Sequence, residues 1–380
     1  MGHDAMDAEA LMRRALALAE RGRGGVAPNP MVGAVLARKR GENRYQVVAE
    51  GWHERFGGPH AEVVALDAAR EAGIDPRGLT LAVTLEPCSH HGKTPPCAEA
   101  LVRAGIGEAI VAMVDPFESV SGRGIDTLRN AGIAVRIGVG EQDARSLVAP
   151  FLKRTHHGLP WVIAKWAQTI DGKIATRTGE SKWISGDASR RLVHQWRGEV
   201  DAVMVGVGTA VADDARLTAR DAPAKRIARR IVVDPNLRLP AHAKLLQAGG
   251  PPTTVICGRD AQGELPAHVQ RLAIDADTHR GGLDLPAAMR ELVDQHAITE
   301  VLVEGGAKLV GSLFEAELLD ELRVFVAPKL LGDAEGLSPL TGPVKRGLAD
   351  ASRWRCVDAS LVEQDVLLRY ERVQPSAQRA

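Results

Sequence analysis

Residues 79–105, LTLAVTLEPCSHHGKTPPCAEALVRAG, pass from one predicted strand through a polar loop into one predicted helix. The strand is the apolar run before Glu86, and the helix begins at a Pro-Pro pair, because proline is tolerated where a helix starts. HAEVVALDAAREAG (60–73) has helical spacing, and EAIVAMVDP (108–116) is strand-like. Strands that alternate with helices predict an open α/β fold.

The length of the chain favours two such units. A chain of 380 residues exceeds the usual size of one hydrophobic core. We predict a first domain over residues 1–150 and a second over 157–375, with a helical linker that ends near His156. The second half repeats strand and helix signals in WVIAKWAQTIDGKIA (161–175), DAVMVGVGTAVADD (201–214), RRIVVD (229–234), TTVICG (253–258) and EVLVEGGAKLVGSLFEAELLDELRVFVAP (300–328). The first of these is interpreted as two strand-like runs around an Asp-Gly turn, and ERVQPSAQRA (371–380) as a frayed polar tail.

Charge and hydropathy exclude several classes of partner. The 48 basic and 48 acidic side chains cancel, so no overall charge attracts the chain to nucleic acid or anionic membrane, although a local basic patch remains possible. No run reaches the roughly 18 apolar residues of a membrane span, and a signal-peptide pattern is absent from the N-terminus. We therefore expect a cytoplasmic protein that acts on a small molecule. Four cysteines in such a chain favour metal binding or catalysis over disulfides.

Two cysteines, one histidine and one glutamate form the first chemical pattern. His60 and Glu62 stand two apart where a helix begins, Cys88 follows a strand, and Cys97 opens the next helix. Imidazole and thiolates are good zinc ligands, and three protein ligands leave a fourth position for water. Helix N-termini favour the thiolate form, which assists metal binding. We predict that His60, Cys88 and Cys97 bind one Zn2+, and that Glu62 moves protons between the activated water and a leaving amine.

A closed structural zinc site is the alternative. Its fourth ligand would have to be His90, His91, Cys257 or Cys356. Such a site would leave Glu62 without a role. The cysteine spacing also departs from the common deaminase pattern, because eight residues rather than two separate Cys88 from Cys97. The extra residues lie within SHHGKTPP (89–96), a polar loop expected at the rim of the metal site.

That loop, with APNPMVG (27–33), GWHERFGGPHAE (51–62) and DPFESVSGRGI (115–125), resembles the deaminase half of the bifunctional riboflavin-biosynthesis deaminase-reductases. The resemblance extends over nearly the whole chain and implies a cytidine-deaminase-like αβα domain. It also implies that Asn29 and His53 bind the substrate's pyrimidine, and that His90 and Lys93 reach its ring or its ribose 5′-phosphate. An ordinary surface histidine is the alternative for His53 and His90. The family usually has Asn-Pro where this chain has Phe117 and Glu118, so the outer loop differs in detail.

Two polar clusters stand out in the second half. Gly305, Gly306 and Ala307 lie between a strand and a helix, where backbone N–H groups can bind a phosphate, although such a glycine pair is often only a tight connection. Thr209, Asp213, Asp214 and Arg220 follow another strand, and an aspartate pair is often a solvated helix cap. Each cluster alone is only suggestive of a site.

The second half resembles the reductase domain of the same family, which implies a dihydrofolate-reductase-like α/β fold that uses NADPH. The family motif of Lys, then Ser/Thr-x-Asp-Gly, is present as Lys165, Thr169, Asp171 and Gly172. The substrate contacts implied are Lys165, Ser181, Arg197, Leu217, Arg220 and Glu304. The cofactor contacts implied are Ala167, Trp183, Thr209, Asp213, Gly305, Gly306, Ala307, Lys308 and Leu309. Ala215 stands where the family commonly has Pro, which should loosen that turn.

These residue types suit the implied reaction. Arg197 and Arg220 can fork onto a phosphate, and Glu304 can accept hydrogen bonds from sugar hydroxyls. Lys165 or Asp213 could assist the proton, and the sequence does not decide between them. Arg238 and Arg259 follow strands and are candidates to meet a 2′-phosphate, although exposed loop arginines are often merely solvated.

The resemblance implies a bifunctional enzyme of riboflavin biosynthesis. It would deaminate 2,5-diamino-6-(5-phosphoribosylamino)pyrimidin-4(3H)-one with zinc and then reduce the ribosyl group of the resulting uracil to ribityl with NADPH. Its partner would be this small phosphorylated pyrimidine, with no nucleic acid and no membrane, and the resemblance favours a homo-oligomer. One rival is a nucleoside or tRNA deaminase with an unrelated C-terminal domain. The other rivals are a non-catalytic zinc-stabilised binding protein and a chain with only one active half.

Overall fold

A computed structural model describes residues 5–89, 95–116, 121–220, 222–342 and 351–373 of the chain. The chain divides into two compact units, Met1–His157 and Gly158–Ala380. Both are mixed α/β, so the predicted fold class is confirmed. Of the helices in the described ranges, none has the length and apolar character needed to cross a membrane.

The first unit has a five-stranded sheet between two layers of helices. In chain order its elements are α1 (Ala8–Glu20), β1 (Gly33–Gly41), β2 (Arg44–Trp52), α2 (Ala61–Glu71), β3 (Thr80–Val83), α3 (Cys97–Ala104), β4 (Glu108–Val111), α4 (Arg123–Asn130), β5 (Ala134–Ile137) and α5 (Glu141–His157). The strand order is β2-β1-β3-β4-β5. β1 is antiparallel to β2 and β3, and β3, β4 and β5 are parallel.

The alternation of β1 explains the two helix layers. Val35 and Ala37 pack in the cluster that contains α1 and α5. Ala34 and Leu36 pack in the cluster that contains α2, α3 and α4. Because successive side chains point to opposite faces of a sheet, one apolar strand supports both layers. The residues before α2 and before α3 are thereby held near the carboxyl end of β3.

The second unit has a nine-stranded sheet. Its elements are β6 (Trp161–Thr169), α6 (Asp187–Arg197), β7 (Ala202–Gly206), α7 (Val207–Asp213), β8 (Arg229–Val233), a 3₁₀ turn (Lys244–Leu246), β9 (Thr253–Gly258), β10 (Val269–Ile274), α8 (Leu285–His296), β11 (Glu300–Glu304), α9 (Ala307–Glu315), β12 (Leu319–Ala327), β13 (Trp354–Val362) and β14 (Asp365–Arg372). The strand order is β10-β9-β8-β7-β11-β6-β12-β14-β13. Neighbours from β10 to β12 are parallel, while β14 is antiparallel to β12 and β13.

Two predictions for this unit are wrong in part. WVIAKWAQTIDGKIA contains one strand rather than two, because the chain turns at Asp171-Gly172 and Ala175 makes only an isolated bridge with Leu337. The polar ending was interpreted as a tail, yet Glu371 and Arg372 belong to β14. Residues 374–380 lie outside the described ranges.

Candidate active sites

The predicted metal ligands come together from three elements of the first unit. His60 precedes the first residue of α2, Cys88 lies in the loop after β3, and Cys97 is the first residue of α3. Their ligand atoms all lie within 4.8 Å of one another. Nδ1 of His60 is 3.6 Å from Sγ of Cys88 and 3.3 Å from Sγ of Cys97. A zinc ion with Zn–N near 2.0 Å and Zn–S near 2.3 Å sets ligand atoms about 3.5 Å apart in a tetrahedron, so the arrangement fits this metal.

Hydrogen bonds prepare Cys88 as a thiolate ligand. The Cys97 thiol and, more weakly, the His60 ring lower the pKa of Cys88 to about 4. The backbone N–H of Cys97, at the start of α3, donates to Sγ of Cys88 at 3.3 Å. The start of α3 therefore stabilises the thiolate of Cys88. The contact with Cys88 raises the pKa of Cys97, so Cys97 carries the proton that a metal ion has to displace.

Glu62 is buried beside these ligands without being one of them. It is 3% exposed and lies in the first turn of α2. Burial raises the pKa of Glu62 to about 7, and the nearby Cys88 sulfur acts in the same direction. A carboxyl group that changes protonation near neutral pH is suited to accept and return a proton.

His53 is a buried residue, so the surface-histidine alternative is wrong for it. It is 2% exposed, and its ring centroid lies 5.4 Å from that of His60. Nδ1 of His53 is 2.9 Å from the carbonyl oxygen of Pro59, and Nε2 is 3.2 Å from Nδ2 of Asn29. Since a carbonyl can only accept, Nδ1 carries the proton and Nε2 accepts from the Asn29 amide. This hydrogen bond fixes the orientation of the Asn29 amide, including its carbonyl oxygen, relative to His53.

The structure leaves several of the remaining candidate residues of the first site undescribed. His90 and Lys93 lie outside the described residues, as do His91, Phe117 and Glu118. Cys257 lies on β9 and Cys356 on β13, in the second unit. Within the described ranges the metal-binding group has three protein residues, the number that a catalytic zinc site uses.

Three of the predicted substrate residues of the second unit, Lys165, Arg197 and Glu304, meet beside the carboxyl end of β11. Lys165, in the middle of β6, is in register with Glu304, the last residue of β11. Arg197, the last residue of α6, forms a two-pronged ion pair with Glu304, with N···O distances of 2.5 and 2.7 Å. Its remaining nitrogen donates to the carbonyl of Thr218 at 3.2 Å. The guanidinium is therefore engaged within the protein in this structure, and the fork of Arg197 onto a phosphate stays a prediction.

Lys165 is held against an aromatic platform. Its Nζ lies 5.8 Å from the ring centroid of Phe325, which stacks on Trp196 at 5.6 Å. Burial lowers the pKa of Lys165, and Glu304 opposes this effect. Burial would raise the pKa of Glu304, but the ion pair with Arg197 outweighs it and lowers that pKa. Lys165 therefore loses its proton more readily than an ordinary lysine, whereas the neighbouring Glu304 stays charged.

A cavity of about 610 Å³ opens where α7 and α9 begin. Five of the predicted cofactor residues are at its wall, namely Thr209, Gly306, Ala307, Lys308 and Leu309. Gly305 and Gly306 have φ values of 82° and 88°, a region that glycine adopts readily. A Cβ on Gly306 would lie 3.2 Å from Oγ1 of Thr209. The close approach of the two helix starts gives the cavity backbone N–H groups that suit phosphate oxygens.

Two arginines that line this cavity, and Arg259, which is not among its lining residues, differ in their partners. Arg238 lines it, is exposed, and has no ion-pair partner among the described residues. Arg280, which the sequence analysis did not single out, also lines it and pairs with Asp277 at 3.0 Å. Arg259 is engaged by both oxygens of Asp275, at 2.6 and 3.0 Å. Of the two arginines proposed from sequence for the 2′-phosphate, Arg238 lines the cavity and has no ion-pair partner in the described ranges, whereas Arg259 is paired with Asp275.

The remaining predicted residues have diverse surroundings. Trp183 is exposed and carries the guanidinium of Arg190 at 4.5 Å from its ring centroid. Asp213, at the end of α7, pairs with Lys182 at 3.1 Å. Leu217 is buried in the core with φ of 52°, so only its backbone could reach a ligand. Ser181 and Arg220 are exposed, and Ala167 is half-buried on β6.

The family motif after β6 shapes a neighbouring loop. Both carboxylate oxygens of Asp171 accept backbone N–H bonds, from Leu331 at 3.2 Å and Gly332 at 2.8 Å. The hydroxyl of Thr169 accepts from the backbone N–H of Lys173 at 3.0 Å. Thr169 and Asp171 therefore order the loops beyond β6 and β12 through the backbone.

Two family models match consecutive parts of the chain. Residues 6–113 match the cytidine and deoxycytidylate deaminase zinc-binding region, and residues 160–368 match the RibD C-terminal domain. The riboflavin biosynthesis protein RibD of Escherichia coli (strain K12) is 41% identical, covering 96% of this chain and 99% of that protein. The protein of the same name from Aquifex aeolicus (strain VF5) is 42% identical, covering 86% and 88%.

Solved structures agree over the same span. Acinetobacter baumannii RibD, form 1, has a TM-score of 0.81 at 36% identity and covers 96% of this chain and 99% of its own. A diaminohydroxyphosphoribosylaminopyrimidine deaminase/5-amino-6-(5-phosphoribosylamino)uracil reductase from Thermotoga maritima has a TM-score of 0.83 at 35% identity, with coverage of 96% and 98%.

Proposed function

This chain belongs to the RibD family of riboflavin-biosynthesis proteins, and from that premise we propose how its own residues perform the two reactions. It is a bifunctional enzyme, a zinc-dependent deaminase and an NADPH-dependent reductase that act on small phosphorylated pyrimidines. The deaminase substrate is 2,5-diamino-6-(5-phosphoribosylamino)pyrimidin-4(3H)-one, and the ribosyl group of its deaminated product is then reduced to ribityl. The convergence of His60, Cys88 and Cys97 beside the buried Glu62 carries the assignment of the first site.

For deamination, we assign the metal to His60, Cys88 and Cys97. Zinc held there supplies a Lewis acid that lowers the pKa of a water molecule. Glu62 would accept a proton from water and pass it to the leaving amine, as water adds to the ring carbon and ammonia departs. Asn29, oriented by the neutral His53, hydrogen-bonds the pyrimidine ring. His90 and Lys93 are assigned to the ring or phosphate on the family resemblance alone.

For reduction, bound NADPH would supply the hydride for C1′ of the sugar, and the protein's own part is to position the reactants and provide a proton. We assign the proton to Lys165, because burial lowers its pKa and because Asp213 is exposed and paired with Lys182. The ion pair of Arg197 and Glu304 offers carboxylate oxygens to the sugar hydroxyls at the strand ends. Ser181, Leu217 and Arg220 are the remaining substrate contacts.

For the cofactor, the cavity at the starts of α7 and α9 supports an assignment. Thr209 and the loop of Gly305, Gly306, Ala307, Lys308 and Leu309 would hold the pyrophosphate, with Ala167, Trp183 and Asp213 toward the nicotinamide. Arg238 would bind the 2′-phosphate, since its guanidinium faces the cavity without an ion-pair partner in the described part of the chain.

Three broader proposals complete the assignment. Free thiols at the zinc site favour a reducing compartment, which supports a cytoplasmic location. The balanced charge supports a protein that does not bind nucleic acid. A homo-oligomer rests on the family resemblance, and sedimentation analysis of the purified chain would test it.

Ammonia release and NADPH absorbance, followed together with zinc-loaded protein and the diaminopyrimidine substrate, test the two activities. We expect ammonia to appear first and NADPH to fall afterwards. If neither signal appears and spectroscopy finds zinc bound by four protein ligands, the site is structural and the proposal is wrong.

A further inference from the structure

His194 is a half-buried histidine of the second unit that none of the roles assigned so far uses. It lies on α6, three residues before Arg197. Nδ1 of His194 is 3.1 Å from the carbonyl oxygen of Thr218. Because a carbonyl oxygen can only accept, Nδ1 carries the proton and donates to Thr218. The side chain therefore connects α6 to the segment that contains Thr218.

The carbonyl oxygen of Thr218 accepts a second hydrogen bond from the same helix. Nη1 of Arg197 donates to it at 3.2 Å, while the other two nitrogens of Arg197 pair with Glu304. A carbonyl oxygen has two lone pairs, so His194 and Arg197 together satisfy it. Thr218 is thus bound to α6 twice and, through Arg197, is connected to the carboxylate at the end of β11.

The segment around Thr218 carries two of the proposed substrate contacts. Leu217 precedes Thr218 and Arg220 follows it, within residues 215–220, which form neither helix nor strand. Leu217 is buried in the core with a φ of 52°, a conformation that a leucine rarely adopts. Such a backbone persists only where its surroundings hold it. The buried side chain of Leu217 and the saturated carbonyl of Thr218 therefore fix this loop just before Arg220.

The charges around His194 keep its ring neutral. Burial lowers the pKa of His194, and Arg197 and Arg220 act in the same direction, whereas Thr218 and Glu304 oppose them. The influence of Arg220 places its charge near the ring. A neutral imidazole can hold the loop without adding a positive charge that would repel the two arginines.

We propose that His194 is a positioning residue of the reductase, which holds the loop of Leu217 and Arg220 against α6 so that the loop can bind the substrate. His194 acts through the Thr218 carbonyl, and proton transfer stays with Lys165. This inference rests on the proposed reductase function and deepens it, because it adds a determinant of substrate affinity to that site.

Two amide substitutions separate the roles of the two ring nitrogens. The NH2 group of Asn can stand near the position of Nδ1 and keep the bond to Thr218, whereas the longer Gln brings its amide near the position of Nε2. His194→Asn, His194→Gln and His194→Ala would be compared with wild type as full-length chains. Gln195→Ala is a matched control, because Gln195 is the exposed neighbour on α6 and bonds to Glu199 at 3.0 Å.

We expect His194→Ala and His194→Gln to raise the KM for the deaminated intermediate by about five- to tenfold, the effect of losing one good hydrogen bond. The kcat of reduction, the KM for NADPH and ammonia release should stay near wild type, since Lys165, the cofactor cavity and the first unit are unchanged. His194→Asn should keep a KM near that of wild type, as should Gln195→Ala. If His194→Ala does not fold, the comparison of the Asn and Gln variants decides the question.

Three results would overturn the inference. The first is an unchanged KM in both His194→Ala and His194→Gln. The second is an equal rise of KM in the Asn and Gln variants, which would show that the bond to Thr218 is not the cause. The third is a fall in kcat that Gln restores and Asn does not, which would place Nε2 in the chemistry. If the wild-type chain releases ammonia but does not oxidise NADPH with the supplied intermediate, the reductase proposal fails and this inference fails with it.

Discussion

Replacing Glu62 with Gln tests the proton transfer that deamination requires. Glu62 is buried in the first turn of α2, two positions from His60, and Gln preserves its shape. The amide cannot accept a proton. The carboxylate acts on the proton of water and on the leaving ammonia, and one positioned acid–base group contributes about 10²- to 10⁴-fold. Because burial removes bulk water as a substitute, we expect kcat to fall by about 10³-fold or more.

Ammonia release at saturating substrate gives kcat, and zinc content is measured on the same samples. Glu71→Gln is a matched control, since Glu71 is the exposed last residue of α2. We expect that control to keep wild-type activity. In the Glu62 variant, reduction of supplied deaminated intermediate should be unchanged, because that reaction uses residues of the second unit.

The reasoning is refuted if Glu62→Gln binds zinc normally and still releases ammonia at more than about a tenth of the wild-type rate, far above the loss expected of an acid–base group. Loss of activity together with loss of zinc would show a different cause. In that case the change would have acted through His60 and Cys97, and Glu62 would not be established as the proton carrier.

Three further changes test the other assignments. Cys97→Ser should weaken zinc binding by at least about tenfold, as metal titration would measure, and leave the reductase intact; unaltered affinity would contradict the ligand assignment. Arg238→Ala should raise the KM for NADPH by roughly 10- to 100-fold without changing the KM for NADH, and Arg259→Ala should change neither KM. Equal effects of Arg238→Ala on both cofactors would contradict the assignment of Arg238 to the 2′-phosphate. Burial opposes ionisation of Glu321, but Arg323 and then Arg369 lower its pKa from 4.5 to about 2. This lowered pKa contributes ~3 kcal/mol that is present above about pH 5 and lost as the pH falls toward 2, and Glu321→Gln should remove this part of the acid dependence of unfolding; an identical dependence in the variant would contradict the ion-pair argument.

The regular elements of the first unit were predictable because their signals are local. The helix from Ala61 to Glu71 has apolar positions at helical spacing, and Gly73 follows its end. The zinc ligands were predictable for the same reason, since each stands at the start of an element or just after one. In the second unit, β13 and β14 gave no clear alternation, because most of their side chains are exposed or half-buried.

The contacts of Glu86, a buried carboxylate two residues before Cys88, could not be predicted from sequence for a physical reason. Its four donors are backbone N–H groups that lie 29 to 39 residues farther along the chain. A backbone donor has no residue type, so the letters of DPFESVSGRGI do not indicate which of its groups bind Glu86. Among these donors, only Gly124 has a residue type that the arrangement requires, because the contact with Pro87 excludes every larger residue.

The arginines of the reductase show the converse limit. Sequence assigns each guanidinium a charge, but the fold decides whether that charge can reach a ligand. The guanidinium of Arg197 forms two hydrogen bonds with the Glu304 carboxylate, and that of Arg259 forms two with the Asp275 carboxylate. A ligand phosphate would have to displace those carboxylates, whereas at Arg238 it meets a cation with no ion-pair partner in the described ranges. The strongest phosphate site is therefore expected at Arg238.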